Sequence, residues 1–433
     1  MNLSNGKPLS LPTGGGEREN SLADLGVAAR KPRSVRPSAV SPVKRFAILC
    51  LVLFVSGAAP ARAVDPKPEA VALAKIPIME LPFVEVTVPD PPTLFHAAGQ
   101  RSLCYEVYLT NMSQKPCRLE GVRVLADDGS TLLESTGPPL FAAMRSGKPA
   151  PDESEVLALK GGERRVYFAW VDLPGGVAVP RTLRQEIRVK PEHGDSLTLH
   201  TAPVPVKTAL RTIAPPLRGE NWCAFNGPSN TNHHRRAILA LDGMTYVAQR
   251  YAIDWMLLDR KSGEAFHGDN DNANYDGYGR EVYAVADGVV TEVKDGLPEN
   301  KPGPKRAVPI TLETVAGNHL MLDLGEGIFA LYAHLQSGKM RVKVGDQVKV
   351  GDVLGLLGNS GNSGAPHLHF QLCHGPSPLA SQGVPYVFEK LTIVGRVSHH
   401  GSDDGTLEWL PAAEVRQGEM PAENEVISFG PRP

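Results

Sequence analysis

The sequence predicts an all-β protein. An immunoglobulin-like β-sandwich is expected over residues 81–207, followed by a second β-sheet domain over 230–391. Three observations carry this reading. Short runs alternate apolar and polar residues, as in "SLCYEVYLTNMS" from Ser102. Glycine and proline number 43 and 38, enough to punctuate those runs with turns. Aromatic residues make up only 6% of the chain, and long apolar runs are few. At 433 residues the chain is long enough for two or three ordinary domains.

The first 63 residues read as a leader and signal peptide. Lys44 and Arg45 precede an apolar run from Phe46 to Val55, and Ala61-Arg62-Ala63 supplies a small-residue cleavage pattern. That run is too short to span a bilayer, which takes roughly 20 residues. A cut after Ala63 is expected, with no stable membrane insertion afterwards. The polar stretch before Lys44 also fits translation starting near Val43. Removing residues 1–63 leaves 36 basic and 44 acidic residues, a formal charge of -8. Such a balance excludes the basic field of a nucleic-acid binder and suits a soluble periplasmic or secreted protein. Four cysteines survive the cut, and an even number in an exported chain permits two disulfides. Cys104 and Cys117 flank a predicted hairpin and form the first expected pair; Cys223 and Cys373 form the second.

Residues 64–80 read as an entry linker. The sandwich follows from "SLCYEVYLTNMS", "CRLEGVRVLADDGSTLL", "GGERRVYFAWVDL" and "TLRQEIRVKP", with a turn at Asp127-Asp128-Gly129. It holds no histidine-rich or charged cluster, so a binding or spacer role is expected. Residues 208–229 break into proline, glycine and asparagine and read as a linker. The second domain takes its strands from "TYVAQRYAIDWMLL", "EVYAVADGVVTEV", "HLMLDLGEGIFALYAHL", "RVKVGDQVKVGDVLGLLG" and "PHLHFQLC". Two of these echo a lipoyl- or biotinyl-carrier, but no modifiable lysine sits in a tight hairpin. The acidic loop "HGDNDNAN" lacks the spacing and final glutamate of an EF-hand and reads as solvated. Residues 392–433 form an extension without clear signal.

Chemistry concentrates in the second domain. In "PHLHFQL" the strand period of two puts His367, His369 and Gln371 on one face and Leu368, Phe370 and Leu372 on the other. In "FALYAHL" the same rule groups His334 with Ala330 and Tyr332. "YAIDWML" sets Asp254 among apolar neighbours, a costly place for a carboxylate unless paired or metal-bound. A buried ion pair with Arg250 is the structural alternative. Aspartate with histidines suits Zn²⁺, which takes three protein ligands and one water in catalytic sites. The residue types therefore point to a hydrolytic metal site.

With these motifs the second domain resembles the lysostaphin/LytM-type zinc metallopeptidases, over roughly residues 230–390. The resemblance implies Zn²⁺ as cofactor, Asp254 and His369 as ligands, and His334 and His367 as catalytic histidines. It implies hydrolysis of peptide bonds in cell-wall peptidoglycan. One departure stands out. The family pattern places a ligand histidine four residues before the aspartate, where this chain has Arg250. Arginine offers no lone pair to a metal. His234, in "NHHRR", is the expected replacement; His233 is its nearest rival, and His319 and His267 are weaker ones. Without a replacement, a non-catalytic envelope protein that binds the wall or regulates its hydrolases is the alternative. Oligomeric state is not legible.

Overall fold

A computed structural model describes residues 84–145, 152–399 and 407–430. The signal peptide and entry linker of the sequence reading lie outside the described residues. Among those residues the fold is almost entirely β, with helical stretches of six residues or fewer at Gly137–Ala142, Glu153–Leu157, His233–Arg236 and a 3-10 turn at Asn272–Asn274. No described helix is long and apolar enough to cross a membrane.

The N-terminal part builds two sheets. One is organised on the strands Gln100–Asn111 and Arg164–Leu173, the other on Cys117–Ala126 and Thr182–Pro191. Alternation decides which side chains meet between them. Leu103, Tyr105, Val107 and Leu109 point inward to a core shared with Leu119, Val122, Val124, Ile187 and Val189. The intervening residues of Gln100–Asn111 are buried too, against the second part of the chain. Cys104 joins the core of the large sheet, and Tyr108 packs with Val166, Phe168 and Ile238. Phe95 stacks edge-on against Trp170 at 4.8 Å and meets Tyr251 at 5.5 Å. A strand buried on both faces explains why "SLCYEVYL" carries so few charges.

A twelve-stranded sheet dominates the rest, beside two two-stranded sheets. Its centre runs Trp222–Phe225, Ile253–Leu257, Leu368–His374, Ile328–Leu335, Asn318–Asp323 and Gly288–Lys294. One face of these strands supplies Trp222, Ile253, Trp255, Leu368, Phe370, Tyr332 and Leu320 to the main core. Residues after 385 extend the sheet: Tyr386–His399 pairs with Leu407–Glu419 and Glu425–Ser428, and the last of these pairs with Trp222–Phe225.

The expected disulfides do not form. Cys104, Cys117, Cys223 and Cys373 are all buried free thiols. Their strands send them into four separate apolar clusters, so neither expected pair shares a cluster. Cys104 and Cys117 do lie on neighbouring strands in sequence, but they face opposite sides of the N-terminal sheets. Each behaves as a small hydrophobe.

Candidate metal and catalytic site

The polar face of the large sheet gathers the histidines. Antiparallel pairing puts Asp254 directly opposite His369, and His369 opposite Ala333 on the next strand. Phe225 is opposite Asp254 on the other side. Leu368, Phe370 and Leu372 turn into the core, so the division of "PHLHFQL" by face holds. A cavity of about 530 Å³ opens over this face, with Asp254, His234, His334, His367, His369 and Arg306 in its wall.

His334 departs from the alternation rule. Ala330 and Tyr332, expected to share a face with His334, lie in the core, while His334 reaches the cavity beside Leu331 and Ala333. The cause is a bulge. Ala333 and His334 together oppose His319 alone, between the pairs Leu320–Tyr332 and Asn318–Leu335. His334 takes a left-handed backbone, with φ of 63°, and donates its N–H to the Ala316 carbonyl at 3.0 Å. A bulge re-aims one side chain, and here it turns the imidazole from the core to the cleft.

Asp254 is the hub. Its Oδ2 accepts from Asn226 Nδ2 at 2.7 Å and lies 3.4 Å from His234 Nε2. Its Oδ1 lies 2.8 Å from His369 Nδ1 and 3.4 Å from His367 Nε2. The other nitrogen of His234, His367 and His369, and Nδ1 of His334, are engaged as well. His234 Nδ1 meets the Asn226 carbonyl at 2.9 Å, and His334 Nδ1 meets that of Ser360 at 2.8 Å. His367 Nδ1 meets the Ala365 carbonyl at 2.8 Å. His369 Nε2 meets Gln371 Oε1 at 3.0 Å, and that amide is oriented by donating its Nε2 to the Pro378 carbonyl at 3.3 Å.

The carbonyl contacts assign the proton of each neutral ring to Nδ1 in His234, His334 and His367. His234 Nε2 is then a lone pair 3.4 Å from the carboxylate, and His369 Nδ1 is in hydrogen-bond contact with Oδ1 at 2.8 Å. Imidazoles gathered on one carboxylate are a donor set that suits a divalent cation. The carbonyl and amide oxygens behind the rings are the outer partners that hold ligand histidines in place.

His233, His234 and Asp254 each offer a ligand atom, all within 4.8 Å of one another. His369 touches the same carboxylate. Among the described residues, no other group of three histidine, cysteine or acidic side chains reaches that spacing. His233 is exposed, with its ring 4.4 Å from that of buried His234. The weaker candidates are engaged elsewhere: His319 with Glu292 at 3.2 Å and His267 with Asp276 at 3.2 Å.

Electrostatics separate the groups. Burial alone would raise the Asp254 carboxyl, but His234 and His367 outweigh it and hold the carboxyl well below the usual carboxylate range. Burial pushes His234 down to about 4 despite Asp254, which suits a neutral ligand. Burial, then His367 and His369, depress His334 well below the usual imidazole range. Burial opposes charge on His367 as well, but there Asp254 prevails and the shift is upward.

Arg250 does not pair with Asp254. It turns away to Glu106, at 2.7 Å and 3.1 Å, and to Asp90 at 2.8 Å. Asn226 and Arg306 were not singled out from sequence. The turn signal at Asn226-Gly227-Pro228 was legible, but its approach to Asp254 depends on pairing between distant strands.

Residues 273–381 match the model of Peptidase family M23. At the level of family, this links the chain to the M23 peptidases. His334, His367 and His369 fall within the matched stretch; His234 and Asp254 precede it. A glycyl-glycine endopeptidase of Staphylococcus capitis is 48% identical over 56 residues, 13% of this chain and 15% of that protein. A peptidoglycan DD-endopeptidase of Vibrio cholerae is 34% identical over 94 residues, 22% and 17% of the respective chains. The crystal structure of the lysostaphin catalytic domain from Staphylococcus simulans aligns at 23% identity over 38% of this chain and 88% of that one, with a TM-score of 0.21. The matches span at most 20% of the length of these curated relatives.

Proposed function

We propose that the chain is an exported zinc-dependent metalloendopeptidase of the lysostaphin/LytM type that hydrolyses peptide bonds in peptidoglycan. The contacts of His234 Nε2 and His369 Nδ1 with the two oxygens of the Asp254 carboxylate carry this reading. In it, His234, Asp254 and His369 hold Zn²⁺, and His334 and His367 are catalytic. The names of the relatives, which include a glycyl-glycine and a peptidoglycan endopeptidase, support the substrate class. Zinc in such a site supplies Lewis-acid polarisation of a carbonyl and activation of water. The protein's own groups divide the proton work. His334, neutral and with Nδ1 occupied, presents Nε2 to take the proton of the attacking water. His367, whose proton is favoured by Asp254, gives its Nε2 proton to the departing amine as the C–N bond breaks. The departure at Arg250 favours a non-catalytic wall binder; the approach of His234 Nε2 to Asp254 Oδ2, at 3.4 Å from another segment, supports the catalytic reading.

Zinc content of the purified mature protein tests the ligand set. Stoichiometric zinc is expected, lost in His234→Ala and retained in His233→Ala. A wild-type protein without zinc after chelator-free purification sinks the reading. Release of muropeptides from purified peptidoglycan tests the substrate.

The role of His334 has its own check. Asparagine tolerates the left-handed backbone better than most residues, so His334→Asn should keep the fold and its bound zinc. Its kcat is expected to fall by roughly 10²–10⁴, the usual worth of a general acid or base. Near-wild-type turnover would remove His334 from the chemistry.

A further inference from the structure

Glu106 is a buried acid on the N-terminal sheet, remote in sequence from every group in the cleft. It is 1% exposed and lies mid-strand, opposite Phe168. Its side chain points away from the N-terminal core and meets two arginines of the second part of the chain. Oε1 accepts from Arg235 Nη1 and from Arg250 Nε; Oε2 accepts from Arg250 Nη2. Arg235 is fully buried and is the residue after His234.

The segment that carries His234 has little support of its own. His233–Arg236 is a single helical turn, far below the length at which a helix is stable alone. Asn232 caps it by accepting from the Arg235 N–H at 2.9 Å. Most of its remaining anchors are on the N-terminal sheet. Arg235 Nη2 donates to the Tyr105 carbonyl at 2.8 Å, and Asn230 Nδ2 to the Phe168 carbonyl at 3.1 Å. Both Arg235 and Arg236 stack on the Phe168 ring, at 4.8 Å and 4.2 Å. Arg236 also reaches the Ala142 carbonyl at 3.1 Å. On the opposite side of this turn, His234 faces Asp254.

We infer that Glu106 is a positioning residue for the metal site: through Arg235 it fixes the turn that delivers His234, so the N-terminal sheet completes the site of the second domain. The inference rests on the zinc reading above. Glu106 touches neither substrate nor metal. It acts as outer-shell partners do, by denying a ligand other orientations. The same carboxylate holds Arg250, so the arginine at the family's ligand position and the turn bearing its replacement are tied to one group.

The experiment uses the full mature chain. Glu106→Gln keeps the shape but loses the charge that gathers both arginines. Zinc dissociation constants by chelator competition, and the visible spectrum of the Co²⁺-loaded protein, are measured alongside near-ultraviolet circular dichroism. Zinc binding is expected to weaken roughly 10–100-fold, with an altered Co²⁺ band and a retained fold. Arg235→Lys keeps the charge but loses the fork, and should weaken zinc in the same direction; it serves if Glu106→Gln does not fold. Gln185→Leu is the control, since Gln185 is buried in the N-terminal part and bonds Tyr105 on the other face of the same strand. It should lower thermal stability without changing zinc affinity. Wild-type affinity in Glu106→Gln, or a loss matched by Gln185→Leu, overturns the inference while leaving the zinc reading intact. No zinc binding by the unaltered protein overturns the zinc reading, and the inference with it.

Discussion

Asp254→Asn should emerge from purification without zinc and hydrolyse peptidoglycan slower than wild type by on the order of 10³-fold or more. The carboxylate faces two imidazole nitrogens, at 2.8 Å and 3.4 Å, and its charge is what makes a cation welcome there. An asparagine keeps the shape, loses the charge and puts an N–H where one acceptor oxygen stood. Because His234 and His367 outweigh burial and hold the Asp254 carboxyl well below the usual carboxylate range, its charge stabilises the fold even without metal, so the metal-free variant should melt below metal-free wild type. Zinc analysis, turnover and a melting curve on one preparation read all three effects. Retention of stoichiometric zinc by Asp254→Asn would remove the carboxylate from the ligand set.

How far such a site can be read from sequence depends on which interactions are local. The period of two in "PHLHFQL" separates Leu368 and Phe370 from His369 and Gln371 because that division needs only strand geometry. The same rule wrongly put His334 on one face with Ala330 and Tyr332, since the bulge that turns it depends on a partner strand with one residue fewer. Pairing by sequence proximity also failed for the cysteines: Cys104 faces the core of the large sheet, and Cys117 the N-terminal one. The strands after residue 385 gave no usable signal because their order in the sheet is set by long-range pairing with Trp222–Phe225 and Arg211–Ile213. The choice of His234 was legible as a candidate, from the mismatch at Arg250. Its geometry was not, because the anchors of its turn lie more than sixty residues away, on the N-terminal sheet.

Arg250→His, which restores the family's spacing of histidine and aspartate, is expected to fail as a repair. Arg250 lies in the turn before the Asp254 strand, and its side chain is directed to Glu106, Asp90 and the Gly383 carbonyl. A histidine there is too short to replace the guanidinium fork and has no path to the cleft. The substitution leaves Glu106 buried with one arginine fewer, and removing one partner of a buried ion pair typically costs about 3–5 kcal/mol. For a chain of this size that is a fall of many degrees in melting temperature, with no gain in zinc affinity. The loss should depend on pH. Burial alone would raise the Glu106 carboxyl, but Arg235 and Arg250 outweigh it and bring it down to about 2, against about 4.5 when free. The stabilisation is therefore complete above about pH 4.5 and is lost as pH falls through about 2. The gap in stability between wild type and Arg250→His should be widest near neutrality and close progressively in acid. A constant gap from pH 7 to pH 2 would mean that Arg250 stabilises through packing alone, and a rise in zinc affinity would place it in the cleft after all.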